Sequence, residues 1–258
     1  MKTEVAIAIV AVMALAFFAG YQANAQPQPT PFPTVFLQTT PTQEPLSTQE
    51  EGQTRIISIH VPAVDKFDNG VLATLNVEAR KGTGRVYIDY SQGAPLLGSE
   101  TQNSILVAVE VAKKTTGKQL KSANLYFSIS TAAQEVGGSS AGASAAVASA
   151  ALLSERKLKK GFIMTGTVDE NGKIGKVGRI LEKAQAAKKG GYTTFLVPPG
   201  ESKILVPIEK CTERRVGNAL IKNCSTEFEE KSVEDEVGIT IIEIGEVKQA
   251  FALMTEPI

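Results

Sequence analysis

Hydrophobic residues are spread unevenly along the chain. Val5 to Phe18 is an unbroken apolar run behind Lys2, and Ala23-Asn24-Ala25 forms a small-x-small cleavage pattern before Gln26. The run is short of the ~20 residues that cross a bilayer. Extended to Tyr21, it suits an uncleaved signal anchor. Residues 1–25 therefore read as a signal peptide or signal anchor, with cleavage and anchoring both open. Residues 26–53 change character: Pro27, Pro29, Pro31, Pro33, Pro41 and Pro45 fall among Thr and Gln. Such a stretch buries too little apolar surface to fold and favours extended conformations. It reads as a disordered linker, either a stalk or a tail without function.

From Thr54 onward the pattern becomes periodic. Arg55 to Val61 has strand composition, and Gly70 to Glu78 alternates apolar and polar as a second strand. Lys81 to Gly84 is a turn, and Arg85 to Tyr90 is a third strand. Thr101 to Thr116 carries Ile105, Val109 and Ala112 at helical spacing, with Gly117 as its stop. Further strands are expected at 124–130, 162–166, 193–197 and 238–244. Helices are expected at 141–153, 179–189 (closed by Gly190-Gly191) and 246–254. Asn171-Gly172 marks a hairpin turn. These elements make 54–258 one mixed α/β domain with a single sizeable core. Between Pro198 and Gly238 the pattern weakens, and Glu227 to Glu236 reads as a solvated acidic face or loop.

Composition narrows the function classes. Lys plus Arg and Asp plus Glu number 27 each, so the net charge is zero. That balance argues against an electrostatic nucleic-acid partner. One His and two Cys are too few for most zinc sites, so neither a metal nor a cofactor is expected. In an exported chain Cys211 and Cys224 read as a disulfide.

The stretch richest in chemistry is Gly137-Gly-Ser-Ser-Ala-Gly-Ala-Ser-Ala-Ala-Val147, a Gly-rich turn opening into a helix. The unpaired N–H groups of a helix start point at whatever sits above them. Three readings stay open here: a nucleophilic Ser with an oxyanion hole, a phosphate cradle, or a plain Ser-capped helix packed through small residues. A nucleophilic Ser needs a base. His60, the only His, has no local signature. A Lys desolvated enough to be neutral would serve. Lys183, among Ile180, Leu181, Ala184, Ala186 and Ala187, has the apolar setting for it.

Several ordered motifs carry a resemblance. Ser139-Ser140-Ala141-Gly142, Met164-Thr165-Gly166, Gly172 to Lys183 and Ala186-Ala187-Lys188-Lys189-Gly190-Gly191 follow one another. They resemble the nucleophile motif, the Met-Thr-Gly strand, the Glu-Lys segment and the Ala-Ala-x-x-Gly-Gly segment of the proteolytic domain of Lon proteases. The Ser140-to-Lys183 step aligns without a gap. The resemblance implies the α/β (α+β) Lon proteolytic fold, ribosomal protein S5 domain 2-like. It also implies a Ser-Lys dyad: Ser140 as nucleophile, Lys183 as general base, Thr165 orienting the lysine, and backbone N–H groups of Gly138, Ser139 and Ser140 as oxyanion donors. Cys211 and Cys224 fall in what resembles an insertion near 199–237.

The chain departs from the family in three places. Ser139 stands where Pro or an acidic residue is usual. Gly137 and Gly138 stand where an acidic residue often lies. Arg179 replaces the second Gly of a Gly-Gly pair. No Gly-x-x-x-x-Gly-Lys-Ser/Thr occurs. The expectation is an ATP-independent serine endopeptidase acting on unfolded or flexible polypeptides outside the cytoplasm, either membrane-anchored or secreted. The family's habit of forming rings makes a homo-oligomer a further expectation. Two rivals are a non-catalytic binding or scaffold domain of the same fold and a small-metabolite kinase of the GHMP type. The latter's phosphate loop resembles Val136-Gly-Gly-Ser-Ser-Ala141.

Overall fold

The computed structural model describes residues 54–258 except 92 and 218. The signal or anchor at 1–25 and the linker at 26–53 lie outside the described residues. The chain begins with β1 (Arg55–Val64), β2 (Gly70–Lys81), β3 (Val86–Ile88), β4 (Leu96–Leu97), α1 (Ser99–Thr116), β5 (Ala123–Ser130) and β6 (Glu135–Val136). It continues through α2 (Gly142–Leu153), β7 (Arg156–Leu158), β8 (Phe162–Met164), β9 (Thr167–Val168), β10 (Ile174–Gly175), α3 (Ile180–Lys189) and β11 (Thr194–Val197). It closes with β12 (Lys203–Val216), β13 (Ala219–Ser232), α4 (Val233–Val237), β14 (Thr240–Glu243), α5 (Val247–Met254) and β15 (Thr255–Pro257).

The first sheet has the order β1-β2-β5-β3, antiparallel except for the parallel β3–β5 pair. Strict alternation in β2 sends Ala73, Leu75, Val77 and Ala79 inward and leaves Thr74, Asn76 and Glu78 outward. Against the inner face lies α2, whose residues from Gly142 to Leu152 are all buried. A helix apolar on every side belongs inside a core. Its Ala, Gly and Ser side chains allow close approach: a Cβ on Gly142 would reach 3.0 Å from Val168 Cγ1.

The second sheet is parallel, ordered β14-β11-β8, and it packs on α3 through a separate apolar cluster. Ile163, Ile180, Ala184, Phe195 and Ile239 form that cluster. The expected Asn-Gly hairpin is present as β9 paired to β10, with Asp169 accepting from the N–H of Asn171 and of Lys173. Gly117 caps α1 in the left-handed conformation that glycine adopts without strain.

The region of weak pattern is a two-stranded ribbon. β12 and β13 pair over fourteen positions from Lys203↔Ser232 to Val216↔Ala219. Cys211 and Cys224 oppose each other in that register and form a disulfide. The acidic run expected as a solvated face or loop is exposed strand followed by α4. Among the described residues no helix is long and apolar enough to cross a membrane.

Candidate active site

Ser140 stands on the turn that feeds α2, with Ala141 as the helix N-cap. Gly138 holds φ at 84°, a conformation that a side chain would strain. The turn is tied down through its carbonyls. Thr101 Oγ1 donates to the Gly138 carbonyl at 2.8 Å. The N–H groups of Gly142 and Gly166 donate to the carbonyls of Ser139 and Ser140 at 3.0 and 2.9 Å. Among the described residues the N–H groups of Ser139 and Ser140 make no backbone hydrogen bond. They remain as donors at the start of a buried helix.

Lys183 reaches the same place from the other core. It sits in the first turn of α3, next to Ile180 and Ala184, and is only 4% exposed. Ser140 and Lys183 line one cavity of about 350 Å³, with Ala63, Glu100, Thr167 and Lys176 among its other walls. Between them stands Thr165, buried just beyond the end of β8. Lys183 Nζ donates to Thr165 Oγ1 at 3.5 Å, and that hydroxyl donates to the Ser140 carbonyl at 3.3 Å. Gly166 must follow Thr165 without a side chain, because a Cβ there would stand 2.5 Å from Ile174 Cγ2. The structure thus brings together Ser140, Lys183, Thr165, Gly138 and Ser139.

Electrostatics suit a proton acceptor. Burial strips water from the Lys183 ammonium and lowers its pKa from the ordinary 10.5 to about 8, while the negative charges of Glu201 and Glu182 oppose the fall. At pH 7 a pKa near 8 leaves roughly a tenth of the amines neutral, on the order of 300 times more than an ordinary lysine offers.

Glu201 is a member of this environment that the sequence reading missed. Its carboxylate accepts from the Val177 N–H at 3.0 and 3.3 Å, and Val177, Gly178 and Arg179 form one wall of the cavity. Burial raises the Glu201 carboxyl pKa, opposed by the Val177 hydrogen bond and by Lys176 and Lys183. The available signal was its place just past the carboxyl end of β11, where parallel sheets gather functional groups.

His60 takes no part: its Nδ1 pairs with the Tyr192 hydroxyl at 2.6 Å on the exposed side of β1. The sulfurs of Cys211 and Cys224 are bonded to each other and offer no thiolate to a metal.

The family model of the Lon protease (S16) C-terminal proteolytic domain matches residues 69–237, which include every residue of this cavity beyond β1. The chain belongs to the Lon protease family. The archaeal Lon protease of Methanocaldococcus jannaschii is 26% identical over 159 residues, covering 54% of this chain and 24% of that protein. The Lon protease of Clostridium acetobutylicum is 25% identical over 159 residues, covering 60% and 20%. That of Flavobacterium johnsoniae is 32% identical over 107 residues, covering 39% and 13%. The chain thus spans a quarter or less of the length of these Lon relatives. The mixed α/β architecture agrees with the Lon proteolytic domain expected from the motifs. The Lon match runs through the ribbon as far as Val237.

Proposed function

We propose that this domain is a serine endopeptidase that hydrolyses peptide bonds with Ser140 and Lys183. The observation that carries the reading is the convergence of a half-buried Ser, free backbone donors and a desolvated Lys on one cavity. Ser140 Oγ attacks the scissile carbonyl carbon while neutral Lys183 Nζ takes its proton. The oxyanion that forms is met by the N–H groups of Gly138, Ser139 and Ser140. The Lys183 ammonium then gives its proton to the departing amine. The amine, neutral again, takes a proton from a water whose oxygen attacks the acyl carbon. The C–Oγ bond breaks, the acid product leaves and Lys183 returns the proton to Ser140 Oγ. Thr165 orients the lysine throughout.

The chain carries no Gly-x-x-x-x-Gly-Lys-Ser/Thr motif, which supports cleavage without ATP, confined to unfolded or flexible polypeptides. The apolar run at 5–18 supports export, with the domain outside the cytoplasm, anchored or released. Homo-oligomerisation is proposed on the family resemblance.

Casein or a fluorogenic peptide offered without ATP tests the reaction. Cleavage is expected, and Ser140→Ala or Lys183→Ala is expected to abolish it while a serine-reactive probe labels Ser140 in the parent protein. Cleavage that survives both substitutions defeats the dyad. Stable capture of a polypeptide without cleavage favours a scaffold domain. Alkaline phosphatase fused after residue 53 checks export, since it gains activity only when carried across the membrane.

A further inference from the structure

The ribbon of β12 and β13 is not used by the dyad. Fourteen residues per strand make it roughly 45 Å long, and a bare two-stranded ribbon is marginal in water. The Cys211–Cys224 bond clamps it near the middle. Five cross-strand pairs extend beyond the clamp, from Thr212↔Asn223 to Val216↔Ala219. At this far end Leu220, Ile221 and Val216 are 63%, 52% and 48% exposed. Three exposed apolar residues at the free end of a clamped arm mark a contact surface there.

Two features of the tip select its partner. The first is its distribution over the faces. Strand alternation and the register put Arg215 and Leu220 on one face, and Arg214, Ile221 and Val216 on the other. A protein groove reads one face of a ribbon. Apolar groups beside a cation on both faces suit a fluid that surrounds the tip. The second is charge polarity along the arm. The tip carries Arg214, Arg215 and Lys222 against Glu213, whereas the half next to the body carries Glu209, Glu227, Glu229 and Glu230 against Lys203, Lys210 and Lys231 and continues into α4 with Glu234, Asp235 and Glu236. Leu205 and Phe228, exposed on that lower half, share a single face. An anionic surface attracts the tip and repels the base, which orients the arm end-on.

We propose that the disulfide-clamped ribbon docks its tip into an anionic lipid surface, with Val216, Leu220 and Ile221 entering the interface and Arg214, Arg215 and Lys222 meeting the phosphate headgroups. This reading is independent of the peptidase reaction.

The chain contains no Trp, so one introduced Trp is a clean reporter. Full-length protein carrying Leu220→Trp and, separately, Val216→Trp is mixed with vesicles of equimolar phosphatidylglycerol and phosphatidylcholine. Reporters on both faces are expected to shift their emission to the blue and to be quenched by brominated lipid. The response should weaken on pure phosphatidylcholine and with added salt, and be lost when Arg214→Glu and Arg215→Glu are added. The N-terminal segment can hold the protein to vesicles in every variant, but it does not move the tip signal. No response from either reporter overturns the proposal, as does a response from one face only. A shift without lipid that tracks protein concentration assigns the tip to a second copy of this chain, and a shift produced by casein assigns it to substrate. Either result also overturns the lipid reading.

Discussion

Lys183 Nζ stands 3.5 Å from Thr165 Oγ1, and both residues are buried. Thr165 also donates to the Ser140 carbonyl, so one hydroxyl touches both halves of the proposed dyad. Thr165→Val keeps the shape and removes the hydroxyl. Its expected effect is a fall in kcat of about tenfold, the worth of one hydrogen bond, with KM little changed. Thr165→Ser should restore most of the loss. Steady-state kinetics on a fluorogenic peptide reads both.

The lysine is expected to leave a mark on stability as well. Its folded pKa, about 8, lies below the ordinary 10.5. The unfolded chain therefore binds the extra proton between these values. Stability rises with pH through that window, and the full penalty of burial applies below pH 8. Lys183→Met removes the penalty of about 3 kcal/mol at pH 7, less whatever packing the new side chain loses. Urea melts should show the variant more stable than the parent at neutral pH, with the difference closing toward pH 10. A gap independent of pH counts against a protonated, buried Lys183.

Glu201 acts on the same titration from the side. Its charge holds the Lys183 pKa up, and its carboxylate grips the Val177 N–H. Glu201→Gln keeps an acceptor for that N–H and removes the charge. The rate of peptide cleavage should climb with pH through a limb near 8 in the parent. In the variant the limb should move to lower pH by about half a unit. A limb that stays in place while KM rises assigns Glu201 to holding the cavity wall alone.

Arg179 is a strained residue at the cavity rim. It caps α3 at φ 62° and ψ 43°, and its guanidinium pairs with Asp68 at 2.7 Å and Glu182 at 3.6 Å. Half-exposed pairs of this kind contribute at most about 1 kcal/mol, and left-handed backbone costs a side chain about the same. Arg179→Gly should therefore be close to neutral in chemical denaturation, while Arg179→Ala, which keeps the strain and loses the pairs, should fall about 1 kcal/mol below Arg179→Gly.

Much of this domain was legible in local pattern. β2 alternates because one face is buried, and α1 stops where Gly117 permits a left-handed residue. The Ser140 and Lys183 motifs carry their own geometry, a Gly-rich turn into a buried helix and a Lys in a first turn flanked by Ile and Ala. The ribbon was not legible. Its outer half faces water on both sides, so no apolar alternation records it, and its pairing depends on residues up to 29 positions apart. Glu201 escaped for a related reason: its partner, the Val177 N–H, lies 24 residues away.

The sequence by itself determined the main strands and helices outside the ribbon, the spacing of Ser140 and Lys183, and the likeness to the Lon proteolytic domain. These are properties of short segments, set by side-chain period, glycine conformation and the chemistry of a Gly-rich helix start. The tertiary structure decided that Thr165 joins the two halves of the site, that Glu201 opposes the desolvation of Lys183, and that the two Cys clamp an outlying arm. Each of these rests on groups distant in the chain meeting at hydrogen-bond or bonding distance, or on the removal of water from a charge. Burial and contact of that kind exist only once the two cores have packed.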